Sequence, residues 1–290
     1  MVPGTGFSGS ENYAKSPYAD KLPGLGFAYC WISLPGYSTV DLQISGELVA
    51  YAIKSLAADS GRSISILTYS QGGSNRQFTN NNLTFGRNNP RTFQAFWPSL
   101  RPLVASFVAM APPMRGSAAA DVLCMASVVI GGCVPALLQE SMLSNYMRAI
   151  NSGEGAYALA SSTVIYTMMD EIVIPQVPQS ASTLEGASNI LIQDICGYSH
   201  AVDHFTMPSD MGVYGVVIDA LVSGRPVNPS TVDRKTLRYS AVGLASDLKA
   251  VYRSLVGNLP QRTRMILKTF TTLVGVLLYN FIFGNPCITC

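Results

Sequence analysis

The chain has 290 residues, enough to bury one large hydrophobic core or two modest ones. Hydrophobic residues make up 48% and charged residues only 12%, against roughly 25% charged in an average soluble domain, which excludes a disordered or highly solvated protein. Net charge is +2 with no basic run, so no nucleic-acid partner is expected.

Gly4, Gly6 and Gly9 form a G-x-G-x-x-G near the start, but a dinucleotide site needs a strand before it and a helix opening from it. The following Ser8–Asn12 reads as loop, so no cofactor is expected. Phe27 to Ile32 reads as a short strand closed by Leu34-Pro35-Gly36. From Thr39 to Ala58, Ile44, Leu48, Ala52, Ile53 and Leu56 recur at helical spacing, with Ser38 or Thr39 as cap and Asp59-Ser60-Gly61 as stop. Ser65 to Tyr69 then reads as a buried strand running into Ser70-Gln71-Gly72-Gly73, completing a β-α-β unit and implying a parallel sheet.

Ser74 to Pro90 carries six asparagines and no amphipathic period, where a helix would be expected after such a turn. Asn82-Leu83-Thr84 within it is a glycosylation sequon, relevant to a secreted chain. Leu103 to Ala111 reads as a second parallel strand, Glu140 to Ile150 as a helix, Thr163 to Met168 as a third strand and Asn189 to Ile195 as a fourth. Met211 to Val222 reads as a helix ended by Gly224 and Pro226. The alternation gives an α/β class. Thr269 to Gly284 is nearly uncharged and follows Arg262, Arg264 and Lys268. Spanning a bilayer takes about 20 apolar residues, so a core or interfacial helix near 265–284 is favoured over a span, leaving membrane contact as an expectation of this segment.

The six cysteines lack paired CxxC spacing for zinc and read as disulfide formers of an oxidising compartment, with Cys124 and Cys133 close enough to staple a loop. Met1 leads directly into Val2-Pro3-Gly4, with no signal-peptide pattern.

Only two histidines are available as a base, His200 and His204. Ser70, Asp170 and His204 follow the chain order of nucleophile, acid and base in α/β-hydrolases, and all three fall at the carboxyl edge of a parallel sheet. Asp203 and Glu171 are rival carboxylates: Asp203 adjoins His204, and Glu171 stays open on local grounds. His200 and His204 at i and i+4 are half of a metal site, but H-E-x-x-H needs a glutamate at Ala201 and no third ligand is evident, so no metal is expected.

Val2-Pro3-Gly4-Thr5-Gly6, Cys30-Trp31-Ile32-Ser33, Leu67 to Gly73, Asp170 to Val177 and Val202-Asp203-His204 together resemble the fungal lipase B family, in order from Val2 to about Pro229. That family carries threonine where other hydrolases have glycine two residues before the serine, as Thr68 does here. The resemblance implies an α/β-hydrolase fold over 1–230 lacking its N-terminal strand, with an insertion at 74–90; beyond Ser230 the match fades, and 231–290 reads from its own pattern as a helical extension. It implies Ser70 as nucleophile, His204 as base and Asp170 as orienting acid, with Thr5 and Gln71 forming the oxyanion hole. The implied activity is serine ester hydrolysis of acyl esters such as triacylglycerols, by a secreted monomer at a lipid–water interface. Pro113 and Glu140 stand where the family has an acid and a glutamine at the pocket entrance, and Cys30 is left without its expected partner. A second reading, motivated by the missing strand, the disrupted elbow helix and the apolar tail, is a lipase-fold protein that binds lipid without turnover. A third is a coding sequence that lacks its start and retains an unspliced piece at 74–90.

Overall fold

The computed structural model describes residues 1–74, 98–127, 131–152 and 156–232. The segment read as an insertion, beyond Ser74, and the tail with its apolar run at 265–284 lie outside the described residues.

Four parallel strands form one sheet in the order β1 (Ile64–Tyr69), β2 (Val104–Met110), β3 (Ser162–Tyr166) and β4 (Ser188–Leu191). Parallel sheets are covered on both faces, and the side-chain alternation along β1 shows how. Leu67 and Tyr69 join Val108, Met110, Ile165 and Ile190 in one core cluster, closed by Val213, Val216, Val217 and Ala220 of the helix Met211–Ser223. Ile66 joins Phe107, Ala109 and Val164 in the other, closed by Val49, Ala50 and Ile53 of the helix Leu42–Ser60. Both helices have side-chain caps and left-handed glycine stops: Asp41 accepts from the Gln43 N–H and Asp210 from the Val213 N–H, while Gly61 and Gly224 have φ of 63° and 62°.

Several boundaries differ from the sequence reading. The helix over 42–60 starts after Asp41 rather than Ser38 or Thr39, because Ser38 is buried at φ 61° with its hydroxyl donating to the Phe7 carbonyl. Ser8–Asn12 is not all loop: the helix Gly9–Tyr13 begins there, with Ser8 and Glu11 forming a reciprocal capping box. Phe27 to Ile32 is not a regular strand; its backbone bonds run to Met1, through Met1 N–H to Cys30 O at 2.7 Å and Ile32 N–H to Met1 O at 3.1 Å, and from Phe27 N–H to Leu22 O at 3.1 Å. The fourth strand stops at Leu191, and Ile192–Cys196 turns into a buried helix. The helix predicted from Glu140 begins only at Asn145, since Glu140 ends a separate helix, Pro135–Glu140, and Ser141 bridges to Ser117. Cys124 and Cys133 form a disulfide between the helix Ala118–Ser127 and the approach to Pro135–Glu140. Among the described residues no helix is long and apolar enough to cross a membrane.

Phe107 is fully buried at the centre of β2. Phe107→Ala should lower unfolding free energy by about 3–5 kcal/mol, the usual cost of a cavity of that size, as read from the urea midpoint at unchanged m.

Candidate active site

β1 delivers the chain into a sharp turn at Ser70. Its φ is 51°, a left-handed conformation uncommon outside glycine and costing about 1–3 kcal/mol. Two backbone bonds hold it: Ser70 N–H to Met110 O at 2.8 Å, and Gly73 N–H to Ser70 O at 2.9 Å. The glycines that follow are steric requirements. A Cβ on Gly72 would lie 2.7 Å from the Val2 carbonyl oxygen, and one on Gly73 would lie 2.4 Å from Pro112 Cβ. Thr68, where many elbows have glycine, is accommodated as a fully buried strand residue with its hydroxyl directed at Val108 O, 3.4 Å away.

The segment carrying Thr5 lies against the same strand. Val2 N–H donates to Leu67 O at 2.9 Å and Tyr69 N–H to Val2 O at 3.2 Å, and Gly4 passes so close that a Cβ there would be 2.9 Å from Ser70 Cβ. The glycines of the G-x-G-x-x-G are therefore explained by packing: Gly6 has φ 81°, and a Cβ on Gly9 would lie 2.1 Å from the Ile32 carbonyl oxygen.

His204 comes from the loop after the helix Ile192–Cys196. That loop is pinned by Thr167, whose hydroxyl donates to Val202 O at 2.7 Å, and by Gln193, whose amide donates to Thr167 Oγ1 at 2.9 Å and His200 O at 3.1 Å. The Tyr69 hydroxyl donates to His204 O at 3.1 Å. None of these supporting residues was singled out from sequence, because each acts through contacts remote along the chain. The imidazole lies between Ser70 and Asp170: Nε2 is 3.0 Å from Ser70 Oγ, and Nδ1 is 3.0 Å from each Asp170 oxygen. Asp170 also accepts from the N–H groups of Ile172 at 3.0 Å and Val173 at 2.7 Å, which fixes its plane.

The rival carboxylates go elsewhere. Asp203 accepts from the Thr206 N–H and hydroxyl within its own turn, and Glu171 accepts from the His204 backbone N–H at 3.1 Å rather than the ring. His200 turns away and its Nε2 meets Asp210 at 3.0 Å, so the two histidines do not converge.

A cavity of about 180 Å³ opens over Ser70. Phe7, Leu123, Leu137, Ile172, Val173 and Phe205 make its walls apolar, while Thr5, Ser70, Glu140 and His204 make its floor polar. The Thr5 hydroxyl is 2.6 Å from Gln71 Oε1 and 3.0 Å from Glu140 Oε2. Gln71 follows Ser70 directly, and Thr5 follows Gly4, which packs against Ser70.

Burial dominates the electrostatics. It is the largest influence on the His204 imidazole and pushes its pKa down. The Asp170 carboxylate, by charge and hydrogen bond, with Glu171 and Asp203 behind it, outweighs burial and holds the value above 6.5. Burial lifts Glu140 to about 7, against the opposing Thr5 hydrogen bond and the charge of His204. Burial and the neighbouring Asp203 lift Glu171 to about 7 as well.

Both glutamates bind a proton more tightly folded than unfolded, so folding stability falls as pH rises from their ordinary 4.5 to about 7 and levels off above. For Glu140 that loss amounts to at most about 3 kcal/mol. Denaturation at about pH 5 and about pH 8 should show Glu140→Gln losing less stability than wild type between the two.

No family model matches the chain. The lipase B of Pseudozyma antarctica is 32% identical over 208 residues, covering 70% of this chain and 55% of that protein. The crystal structure of Aspergillus fumigatus lipase B superposes with a TM-score of 0.71 at 27% identity, covering 88% of this chain and 59% of that one. The mature Bacillus licheniformis lipase BlEst2, at 14% identity and a TM-score of 0.56 over 77% of this chain and 90% of its own, shares the fold alone. The chain thus spans between half and two-thirds of the length of both lipase B relatives. Sequence identity over most of the chain, the backbone superposition and the parallel sheet agree: the chain is similar to the lipase B proteins and has an α/β-hydrolase fold.

Proposed function

We propose that this chain is a serine ester hydrolase of the lipase type. One observation carries the reading: Ser70, His204 and Asp170, contributed by three separate stretches, lie in a hydrogen-bonded row beneath an apolar cavity. In this reading Ser70 Oγ attacks the acyl carbonyl carbon while His204 Nε2 takes its proton. Asp170 holds the Nδ1–H and stabilises the imidazolium that forms. The carbonyl π electrons move onto oxygen, which meets the Gln71 and Thr5 N–H groups and the Thr5 hydroxyl; one such donor is worth about 3 kcal/mol. Collapse of the adduct expels the alcohol, which receives the proton from His204, and water then repeats the sequence on the acyl-enzyme.

The likeness to the two lipase B proteins supports acyl esters such as triacylglycerols as the substrate class. A lipid–water interface is supported by exposed Val122, Met125, Leu138 and Leu143, on or beside the two helices that give Leu123 and Leu137 to the cavity wall. The Cys124–Cys133 disulfide supports an oxidising, extracellular location.

Purified Ser70→Ala should lose at least about 10⁴-fold in kcat on a short-chain ester, while a phosphonate probe should label wild-type Ser70 covalently. Wild-type turnover in Ser70→Ala would refute the hydrolase reading, and an unlabelled wild-type serine would point to lipid binding without turnover. Because the base must be neutral, kcat/KM should fall on acidification through a pKa above 6.5.

A further inference from the structure

Three oxygen atoms stand in a row beside Ser70: Gln71 Oε1, Thr5 Oγ1 and Glu140 Oε2, with separations of 2.6 and 3.0 Å. The Thr5 hydroxyl has one proton to give, and in this arrangement both neighbours accept. If Glu140 is ionised, one of the two contacts holds no proton and sets oxygen lone pairs against each other. If Glu140 is protonated, its O–H donates to Thr5 Oγ1 and the Thr5 proton turns to Gln71 Oε1; with the Gln71 amide turned over so that its nitrogen donates as well, both neighbours give to Thr5 and its proton is released to a third acceptor, the oxyanion. Glu140 is 5% exposed, and its second oxygen, Oε1, has no hydrogen-bond partner among the described residues. The Gln71 amide nitrogen is buried and without a partner as well, so turning that amide over would let it donate to Thr5 when Glu140 is ionised. That second arrangement sends the Thr5 proton to the carboxylate and away from the oxyanion.

We propose that Glu140 is a positioning residue that gates the oxyanion hole: protonated, it donates to Thr5 and frees the Thr5 hydroxyl for the developing oxyanion; ionised, it captures that hydroxyl. The inference rests on the hydrolase reading above and deepens it. No bond to Glu140 is made or broken in the reaction; its proton stays on the carboxyl while a relay of two hydrogen bonds runs from Glu140 through Thr5 to the oxyanion, each bond polarising the next. The ionised form adds a second penalty, a negative charge close to the forming one.

The groups around Glu140 bear on when it titrates. His204 faces it across the cavity and favours its ionised form, while Tyr146 approaches from the helix Asn145–Ile150. Asp121 of the helix Ala118–Ser127 is engaged by the Ser141 hydroxyl and the Met142 N–H, and Asp41 acts on Tyr146. Asp170, Glu171 and Asp203 act on His204. Glu140 joins no ion pair among the described residues. Burial, acting against the Thr5 bond and His204, brings its titration to about 7, inside the working range of a histidine base.

The test is the alkaline side of the pH profile, followed both as kcat/KM on a short-chain nitrophenyl ester and as the rate of phosphonate labelling of Ser70. Wild type should fall above about pH 7, by about tenfold per unit toward a loss of about 10²-fold, the effect of removing one oxyanion donor. Glu140→Gln, whose amide donates to Thr5 at every pH, should lack that fall. Glu171→Gln should keep it, although Glu171 titrates in the same range. The same alkaline fall in Glu140→Gln as in wild type, or its loss in Glu171→Gln alone, overturns the proposal. If Glu140→Gln does not fold, Thr5→Val decides: without the hydroxyl the alkaline fall must shrink, and an undiminished fall overturns the gate. Labelling with matching profiles in all variants sinks the gate and leaves the hydrolase standing, whereas no labelling at any pH removes both.

Discussion

The left-handed backbone at Ser70 is the constraint on which the site depends. A parallel strand ends with its carboxyl edge facing the cleft, and Ser70 turns there abruptly enough to present its side chain above the sheet. Such a φ is tolerated only where both flanks are fixed. Here one flank is the neighbouring strand, through Met110 O, and the other is the start of the chain, where Val2 exchanges backbone bonds with Leu67 and Tyr69. The same contacts that hold the serine thus hold Thr5. The close approaches at Gly4, Gly72 and Gly73 leave that packing no room for a side chain, so Ser70 and Thr5 are positioned together. Asp170 and His204 reach the same edge from beyond β3 and β4, because in a parallel sheet every strand ends on the same side.

Four carboxyl groups crowd one histidine or its cavity, and they differ in the hydrogen-bond donors they receive. Asp170 has two backbone N–H groups and the imidazole; Asp203 has the Thr206 N–H and hydroxyl. Glu171 receives a backbone N–H from His204, and Glu140 only a hydroxyl contact from Thr5. Burial with so few donors favours the protonated form, and Glu140 and Glu171 are both shifted up to about 7. Burial thus leaves Glu140 and Glu171 partly protonated near neutral pH.

The elements of the sheet were legible in sequence where an apolar run ended in a turn signal, as at Ile64–Tyr69 and Val104–Met110. Chain order alone put Ser70, Asp170 and His204 on one edge, and the structure brings them within hydrogen-bonding distance. Boundaries went astray where tertiary contacts override local pattern. The isoleucines at 190, 192 and 195 read as strand, yet the last two are buried on a helix, since a fully buried helix and a fully buried strand share an apolar run. Ser38 looked like a cap but spends its hydroxyl on Phe7. Asp170 and Glu171 were indistinguishable locally, because the choice between ring and backbone of His204 is made by the turn that follows Asp170, not by residue type.

Glu140 was placed at the pocket entrance only by the family resemblance; nothing in its local sequence pointed to Thr5. It lies 135 positions from Thr5, at the end of a helix that local periodicity ran into the next one. An amide there would complete the oxygen row without any charge, donating through its nitrogen to Thr5 at every pH. A carboxyl does so only while protonated, and it carries the burial cost of a group whose second oxygen finds no partner. The stability it loses as pH rises toward 7 is set beside what it does to Thr5. The group that destabilises the ionised fold is the same group that decides where the Thr5 proton points, so stability and oxyanion binding are linked to a single titration in this cavity.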